Sequence, residues 1–265
     1  MRRFIFPFAF IVSFACLLAS CNKSDEETIT PDTKSIKFVK QITSSTTDFV
    51  AYKYDPEGNV IKYTSQWQNG TGLNRLTQVF EYDGKKLSRS STETGYASYT
   101  YTNNVLAKSD HFAFNGKKIS SLIYSFNAAG KLTEVLEQIA NSLSDGPEET
   151  RITYQYYPNG NLSRLDFAYR KHATEPFIIN LTKLFVEYDN KVNTEPDGVA
   201  GNFLPGVILM RNNPIKINNL LPNGTIEGYS RYEYSYNEKG YPITRKQFIA
   251  VGNTEQLPIL LQYVY

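Results

Sequence analysis

The chain has 265 residues, a formal net charge of +2 and a mean hydropathy of −0.40. A charge so close to zero gives no electrostatic reason to expect nucleic acid as a partner. Both cysteines, Cys16 and Cys21, lie near the start of the chain, so the remainder has no disulfide, thiol nucleophile or thiolate metal ligand. The distinctive feature of the composition is its 20 tyrosines and 16 phenylalanines.

The first 20 residues predict a cleaved export signal. Arg2 and Arg3 precede an uncharged, mainly apolar run of 15 residues from Phe4 to Leu18. A membrane-spanning helix needs about 20 apolar residues, whereas a basic start before a shorter apolar run is typical of a secretory signal peptide. We therefore expect residues 1–20 to be absent from the mature protein.

The segment Leu18-Ala19-Ser20-Cys21 resembles a bacterial lipobox, in which the cysteine is acylated and the chain is cut just before it. The resemblance implies a lipid anchor on Cys21, and hence a membrane as partner. Several acyl chains on one residue hold a protein durably, because a single chain gives only marginal binding. The alternative is an ordinary signal peptide that happens to contain a cysteine.

Residues 21–35 have the composition of a solvated tether. Lys23 is followed by an acidic cluster of Asp25, Glu26 and Glu27. A lysine and acidic residues behind a lipidated cysteine resemble the export signal of Bacteroidota surface lipoproteins, which implies the outer leaflet of the outer membrane. A plain acidic linker is the alternative.

A recurring phrase organises residues 36–265, which we expect to form a single domain. The phrase has two aromatic residues one position apart, then a turn rich in Asn, Asp or Gly, then an aliphatic residue. The turn residues reach the positive φ values of tight hairpins, and the flanking alternation matches the period of a strand. No segment shows sustained helical periodicity. The phrase occurs at Tyr52–Tyr54, Phe80–Tyr82, Phe112–Phe114, Tyr124–Phe126, Tyr154–Tyr156 and Tyr234–Tyr236, with weaker copies at Tyr99–Tyr101 and Val186–Tyr188.

The aromatic members of these phrases share one face of the predicted sheet, as Tyr234 and Tyr236 do against Glu233. A sheet with one apolar face covers it by curling into a barrel or by folding over as a sandwich. We predict an all-β antiparallel hairpin meander, curled into a soluble barrel with a tyrosine-rich interior. A β-sandwich and an extended sheet are the alternatives. The C-terminal Tyr263-Val-Tyr265 also fits a membrane-spanning barrel, but neither face supplies a consistent aliphatic band.

The repeated Tyr-x-Tyr-Asp/Asn-x-x-Gly-Asn/Lys-aliphatic pattern resembles the YD-type repeats of large secreted shell-forming proteins. On a lipobox chain of this size it is more similar to Bacteroidota surface lipoproteins of uncharacterised function with a porin-like fold. The stretch Asn212-Asn213-Pro214-Ile215-Lys216 resembles a further element of that family. The resemblance covers residues 36–265 and implies a barrel-like meander, without implying an activity.

The alternation fails between about residues 190 and 225, where prolines alternate with glycines. A connection this long is unusual inside a compact domain and is often functional. Its stretch from Phe203 to Met210 is too apolar for a solvated loop. We expect this Pro/Gly-rich insertion to fold over the barrel mouth or into the lumen, with one more irregular strand pair as the alternative.

No catalytic or cofactor motif is present in the sequence. His111 and His172 are the only histidines and share no ligand spacing with carboxylates, so surface or strand positions are favoured. Trp67, the only tryptophan, lies beside Gln and Asn and is a weak candidate for stacking on a sugar. A half-buried position on the aromatic face is the favoured interpretation.

Two groups of acidic residues offer oxygen ligands of the kind that calcium binds. Asp145, Glu148 and Glu149 form one group, and Glu195 and Asp197 form the other. Neither has the periodic oxygen spacing of a calcium loop, so ordinary polar turns are favoured. We expect no metal site and no cofactor.

These observations predict a lipid-anchored cell-surface or outer-membrane protein that is not an enzyme. Ligand binding or interaction is the expected role, with a glycan or a small apolar molecule as ligand, and we expect a monomer. A structural envelope scaffold is the first alternative. A hydrolase with an unrecognised site is the second.

Changing Cys21→Ala should abolish membrane retention and leave the β-domain folded, because the anchor and the domain are joined only by residues 22–35. Fractionation of cells expressing the variant measures this, and Cys16→Ala, within the segment expected to be removed, is the matched control. Recovery of the Cys21 variant in the outer-membrane fraction would refute the lipobox interpretation.

Overall fold

The structure, a computed structural model, describes residues 38–140, 146–196, 198, 199, 202–204, 206–252 and 254–265. The signal segment 1–20 and the tether 21–35 lie outside the described residues, so the anchor and export predictions stay predictions. The described part of the chain contains no helix long and apolar enough to cross a membrane, a finding that does not bear on strands. The predicted site residues outside the described part are Cys21, Lys23, Asp25, Glu26, Glu27, Asp145 and Asp197.

Every secondary-structure element in the described residues is a β-strand. They are β1 (Gln41–Thr43), β2 (Phe49–Tyr54), β3 (Val60–Asn69), β4 (Gly72–Asp83), β5 (Lys86–Ser91), β6 (Gly95–Thr102), β7 (Val105–Ala113), β8 (Lys118–Phe126), β9 (Leu132–Ile139), β10 (Glu149–Tyr156), β11 (Leu162–Arg170), β12 (Ile178–Val192), β13 (Gly198–Val199), β14 (Asn202–Phe203), β15 (Asn212–Leu220), β16 (Ile226–Tyr236), β17 (Pro242–Val251), β18 (Thr254–Glu255) and β19 (Ile259–Val264).

The strands close into a 16-stranded antiparallel barrel. Each barrel strand pairs with the next along the chain, and β12 pairs with β15 across the insertion. The three-residue β1 closes the ring, because Gln41 opposes Ala51 of β2 on one side and Val264 of β19 on the other. The short β18 pairs only with β17, and β13 and β14 form a separate hairpin. The predicted barrel is therefore confirmed, and the sandwich and extended-sheet alternatives are wrong.

The barrel has two different ends. At the turn end lie the tight turns that follow most of the aromatic phrases, such as β8–β9 and β10–β11, together with the connection from β12 to β15. The phrase Phe112–Phe114 is the exception, because its turn, β7–β8, lies at the other end and Phe112 faces outward beside Tyr96. Gly130 and Gly160 occupy these turns with φ of 72° and 86°, which a residue with a side chain adopts only under strain. At the opposite end, here called the open end, lie the alternate connections, including β3–β4 and β11–β12.

The tyrosine rows point into the barrel. Directly opposed residues of neighbouring strands share a face, so the pairs Tyr52 with Tyr63 and Tyr154 with Leu165 identify the inner one. Tyr154 is 3% exposed, whereas the adjacent Gln155 is exposed on the outside. Two apolar clusters fill the turn-end half of the lumen. One includes Leu122, Tyr124, Leu132, Val135, Tyr154, Leu162, Leu165 and Phe185, and the other includes Val39, Ile42, Tyr52, Val60, Phe80, Leu87 and Tyr263.

The outer face carries charged side chains around the barrel, interspersed with exposed apolar residues such as Leu73, Val79 and Leu260. Arg164 and Asp166 form an ion pair of 2.8 Å on β11, and Arg170 pairs with Glu149 across β10 and β11. Charged outward residues on other strands include Lys53, Lys62, Arg75, Glu81, Arg89, Lys108, Asp110, Glu134, Lys216, Arg231, Glu233 and Lys246. The described strands therefore lack a continuous apolar band on the outside.

One hydrogen bond recurs around the turn end. A tyrosine at the end of a strand donates its hydroxyl hydrogen to the carbonyl at the start of the preceding paired strand. The Tyr82 hydroxyl, for example, lies 2.8 Å from the Val60 carbonyl oxygen. Because the two strands belong to successive turn-end hairpins, each such bond joins one hairpin to the next. The other examples are Tyr54 to Val39, Tyr156 to Leu132, Tyr188 to Leu162 and Tyr265 to Pro242.

We expect Tyr82→Phe to lower the free energy of unfolding by about 1 kcal/mol, because it removes the donor to the Val60 carbonyl. Tyr154→Phe is the matched control, since the buried Tyr154 hydroxyl has no hydrogen-bond partner among the described residues. That change should be neutral within about 0.5 kcal/mol or slightly stabilising. Chemical denaturation of both variants measures the difference, and equal losses would contradict the role given to the recurring bond.

Candidate functional site

The insertion closes the turn end of the lumen. Its described residues between Asn193 and Arg211, here called the plug, include Leu204 and Leu209, which are 4% and 3% exposed. Both side chains pack in the cluster that contains Leu132 and Leu162. The Leu162 amide also donates to the Leu209 carbonyl at 3.1 Å. The apolar stretch therefore folds into the barrel mouth, as one interpretation of the sequence proposed.

The insertion is shorter than the sequence indicated. Residues 212–220 form the regular strand β15, which continues the barrel between β12 and β16. The sequence conceals this strand because its inward positions include Asn219 and its outward positions include Asn218, so apolar and polar residues do not alternate.

One buried asparagine holds the C-terminal end of the plug, where the chain continues into β15. Asn161 has 0% exposure and lies in the turn before β11. Its Oδ1 accepts from the backbone amides of Arg211 and Asn212 at 2.8 and 3.0 Å, and its Nδ2 donates to Asn212 Oδ1 at 2.9 Å. The neighbouring Asn213 amide donates to Asp189 Oδ1 at 3.1 Å. These contacts give Asn212 and Asn213 a structural role at the start of β15.

An ion pair inside the barrel fixes the other end of the plug. Glu195 Oε1 lies 2.6 Å from Nη1 of Arg245, an inward residue of β17, and also accepts the hydroxyl hydrogen of Tyr263. Next to it, the Thr194 and Tyr265 hydroxyls are 2.9 Å apart. Burial raises the pKa of Tyr265 to about 12, and the charge of Glu195 acts in the same direction. Burial alone would lower the pKa of Arg245, but Glu195 holds it above its ordinary value.

Tyrosine rings surround this ion pair. The Arg245 guanidinium lies 5.4 Å from the centre of the Tyr232 ring and 5.9 Å from that of Tyr263. Tyr232, Tyr234 and Tyr236 follow one another along β16 with ring centres 6.4 and 6.0 Å apart. Burial raises the pKa of Tyr52 and of Tyr263, and in both the negative charge of Glu195 adds to the effect. These hydroxyls therefore remain protonated donors at neutral pH.

Toward the open end the inward side chains become accessible. Trp67 of β3 is 43% exposed near the rim, and Tyr169 and Ile178 are exposed where β11 and β12 approach it. Deeper in the lumen, the inward residues are half-buried and of mixed chemistry. They include Ser65, Gln78, Glu137, Phe167, Lys183 and Gln247. The open half can thus contact a ligand through aromatic rings and through polar groups.

A polar chain on the inner face of β7 was not anticipated from the sequence. Ser109 Oγ lies 2.9 Å from His111 Nε2 and 2.9 Å from the Tyr124 hydroxyl. Burial lowers the pKa of His111, and the nearby charges of Glu137 and Asp110 oppose that shift. Ser109 has 0% exposure, so a substrate carbonyl has no route to this hydroxyl. The signal in the sequence was the spacing of two residues, which places Ser109 and His111 on one strand face.

The other predicted site residues are dispersed. His172 lies 3.2 Å from Glu148 on the exposed β11–β12 connection, whereas Glu149 bonds to Gln138 and Arg170. Glu195 points into the barrel and pairs with Arg245. In the part of the chain that the structure describes, no three His, Cys, Asp or Glu side chains form a group able to hold a metal.

The fold and the lumen define a closed antiparallel β-barrel with an internal plug. Among solved structures, the chain is similar to a porin-like protein from Bacteroides uniformis, with 16% identity, a TM-score of 0.58 and coverage of 85% of this chain and 97% of that one. It is also similar to a porin-like protein from Bacteroides vulgatus, with 13% identity, a TM-score of 0.52 and coverage of 86% and 99%.

No protein-family model and no curated protein matches the chain. At these identities the similarity shows the fold alone, and the porin-like fold that the sequence predicted is confirmed. The predicted lipoprotein character and the kinship with YD-type repeats stay predictions.

Acidification should destabilise the barrel through His111. Because burial lowers the pKa of His111 below its ordinary value of 6.5, the unfolded chain binds this proton more readily than the folded one. The free energy of unfolding should therefore decrease as the pH falls below about 6.5. His111→Gln should reduce that decrease, and His172→Gln, which changes an exposed histidine, is the control. Identical pH profiles of unfolding for wild type and His111→Gln would contradict the assignment.

Proposed function

We propose that this chain is a lipid-anchored protein of the outer-membrane surface whose barrel lies in water and binds a small ligand in the open half of its lumen. The observation that carries the proposal is the plug, which Asn161 and Arg245 fix in the turn end. A barrel closed at one end and accessible at the other forms a concave site lined by mixed polar and aromatic groups, as ligand sites commonly are.

The outer face supports a barrel surrounded by water rather than a membrane pore. A spanning barrel presents an apolar band about 25 Å tall to the lipid, and an Arg or Lys at the middle of that band costs about 2–4 kcal/mol. Here ion pairs such as Arg164 with Asp166 and Arg231 with Glu255 lie on the outside. The porin-like neighbours from Bacteroides support an association with the outer membrane, at the level of a shared fold.

The first barrel residues lie at the turn end. The Lys40 amide donates to the Val264 carbonyl, and the Tyr54 hydroxyl donates to the Val39 carbonyl at 2.8 Å. In this proposal, a lipid on Cys21 is joined to that end of the barrel through residues 22–35.

Ligand binding without catalysis fits the lining of the open half. Trp67 offers an exposed ring at the rim, which suits a sugar face or an apolar group. Ser109, the one serine that contacts a histidine among the described residues, is fully buried. We therefore propose a glycan or a small apolar molecule as ligand, and no cofactor.

A structural scaffold is the second candidate. The observation that favours it is the dense packing of the turn-end half, where two apolar clusters leave the inward side chains buried. The two candidates differ in whether the open half binds anything.

Trp67 provides the test, because it is the only tryptophan of the chain and lies at the proposed mouth. The emission of the full-length protein should change saturably with at least one member of a panel of oligosaccharides and fatty acids. Trp67→Ala should weaken binding of that compound, followed by calorimetry, about fivefold, since an aromatic contact of this kind contributes about 1 kcal/mol. Leu73→Ala, an exposed outward change on the same hairpin, is the control and should leave the affinity unchanged.

Two results would oppose the proposal. If no compound changes the emission or the melting temperature, the scaffold is favoured. Ion conductance by the wild-type protein in planar bilayers would instead show that the barrel spans the membrane.

A further inference from the structure

The Glu195–Arg245 pair is an unusual way to hold a plug. Apolar contacts of Leu204 and Leu209 already seat the plug in the barrel. Removing two charges from water costs several kcal/mol per ion, so a buried pair contributes little net stability compared with apolar side chains of similar volume. The pair contributes binding specificity, because Arg245 in the barrel accepts an anionic partner.

The chemistry of the barrel groups defines that partner. Arg245 offers a planar guanidinium, and Tyr263 adds a hydroxyl donor to the same carboxylate oxygen. Tyr234, which is opposite Arg245 on the neighbouring strand β16, donates its own hydroxyl hydrogen to the Pro214 carbonyl at 3.2 Å. A guanidinium combined with the Tyr263 phenol donor matches a carboxylate, whose oxygens accept from both.

The site also has an unused donor and remains within reach of water. Arg245 Nε is buried and has no hydrogen-bond partner among the described residues. The side chains of Arg245 and Glu195 are nevertheless 16% and 26% exposed. Along β17, Arg245 is followed on the inner face by Gln247, which belongs to the open half of the lumen. The carboxylate position thus lies at the boundary between the plugged half and the open half.

We propose that Arg245 and Tyr263 form a carboxylate-binding site that Glu195 of the plug occupies as an internal ligand. A small molecule that bears a carboxylate and enters from the open end competes with Glu195 for this site. The inference rests on the proposed function, since it gives the ligand of the lumen an acidic group.

Competition with an internal ligand determines how the site must be tested. A group held on the same chain has an effective concentration in the millimolar range, so a weak free carboxylate does not displace it. Removal of the internal carboxylate frees the site. A free carboxylate of the right size should then restore the stability that the protein loses with the Glu195 side chain.

Glu195→Ala in the full chain should lower the melting temperature, because it leaves Arg245 charged and unpaired inside the barrel. Sodium acetate or propionate should restore stability saturably, by about 3–6 °C at ten times its Kd. Acetamide, the neutral analogue, and sodium chloride should not. The double variant Glu195→Ala with Arg245→Met should show no rescue by acetate.

Glu233→Ala is the matched control, because Glu233 pairs with Arg231 on the exposed outer face. It should lose little stability and gain none specifically from acetate. If Glu195→Ala does not fold in buffer, refolding it in sodium acetate should restore the folded barrel, whereas refolding it in acetamide should not. Equal effects of acetate and acetamide, or equal rescue of the double variant, would overturn the proposal.

The acetate rescue of Glu195→Ala and the Trp67 titration test different claims, so either can fail without the other. A panel that leaves Trp67 emission unchanged while acetate rescues Glu195→Ala would oppose the proposed function and retain the carboxylate site. A ligand that changes the emission while acetate gives no rescue would retain the function and overturn the site.

Discussion

The hydrogen bond from a tyrosine hydroxyl to a backbone carbonyl is the interaction on which the architecture depends. It explains why the second aromatic residue of the repeated phrase is tyrosine at Tyr54, Tyr82 and Tyr156, whereas Phe126 fills the same position in another copy without a donor. The ring fills the lumen, while the hydroxyl satisfies a carbonyl at the start of the neighbouring strand, as between Tyr156 and Leu132 at 2.7 Å. A wide barrel is difficult to fill with aliphatic side chains alone. Tyrosine supplies the volume and joins successive hairpins with the same residue.

Those features of the barrel that depend on neighbouring residues could be predicted from the sequence. The turns, the period of two and the inward direction of the tyrosines depend on neighbouring residues, and the structure confirms them at Tyr154 and Gln155. The number of strands depends on where each hairpin ends, and the register shifts at pairs such as Tyr54 with Val60 are not visible in a pattern. Strand β15 contributes Ile217 to the core, but Asn218 and Asn219 on its two faces interrupt the apolar alternation that would identify it in the sequence.

The candidate site depends on contacts between distant parts of the chain. Asn161 meets Arg211, Glu195 meets Arg245, and neither pair leaves a local motif. A carboxylate in a Pro/Gly-rich stretch is ordinary turn chemistry until the fold places a guanidinium opposite it. The same holds for His111 and Ser109, whose shared face was visible but whose burial was not. Local sequence patterns therefore predicted the strands and turns of the barrel. The contacts inside the lumen became known only from the closed topology.

The seam of the barrel has a consequence for the order of assembly. Most strand pairs join neighbours in the chain, so these hairpins can form as soon as their own residues are available. The pairing of β1 with β19 joins Ile42 to Tyr263, almost the full length of the domain apart. Closure must therefore wait for the C-terminal strand, and until then β1 and β17 remain open edges. A chain that ends before β19 would keep those edges and would be prone to pair with other copies of itself.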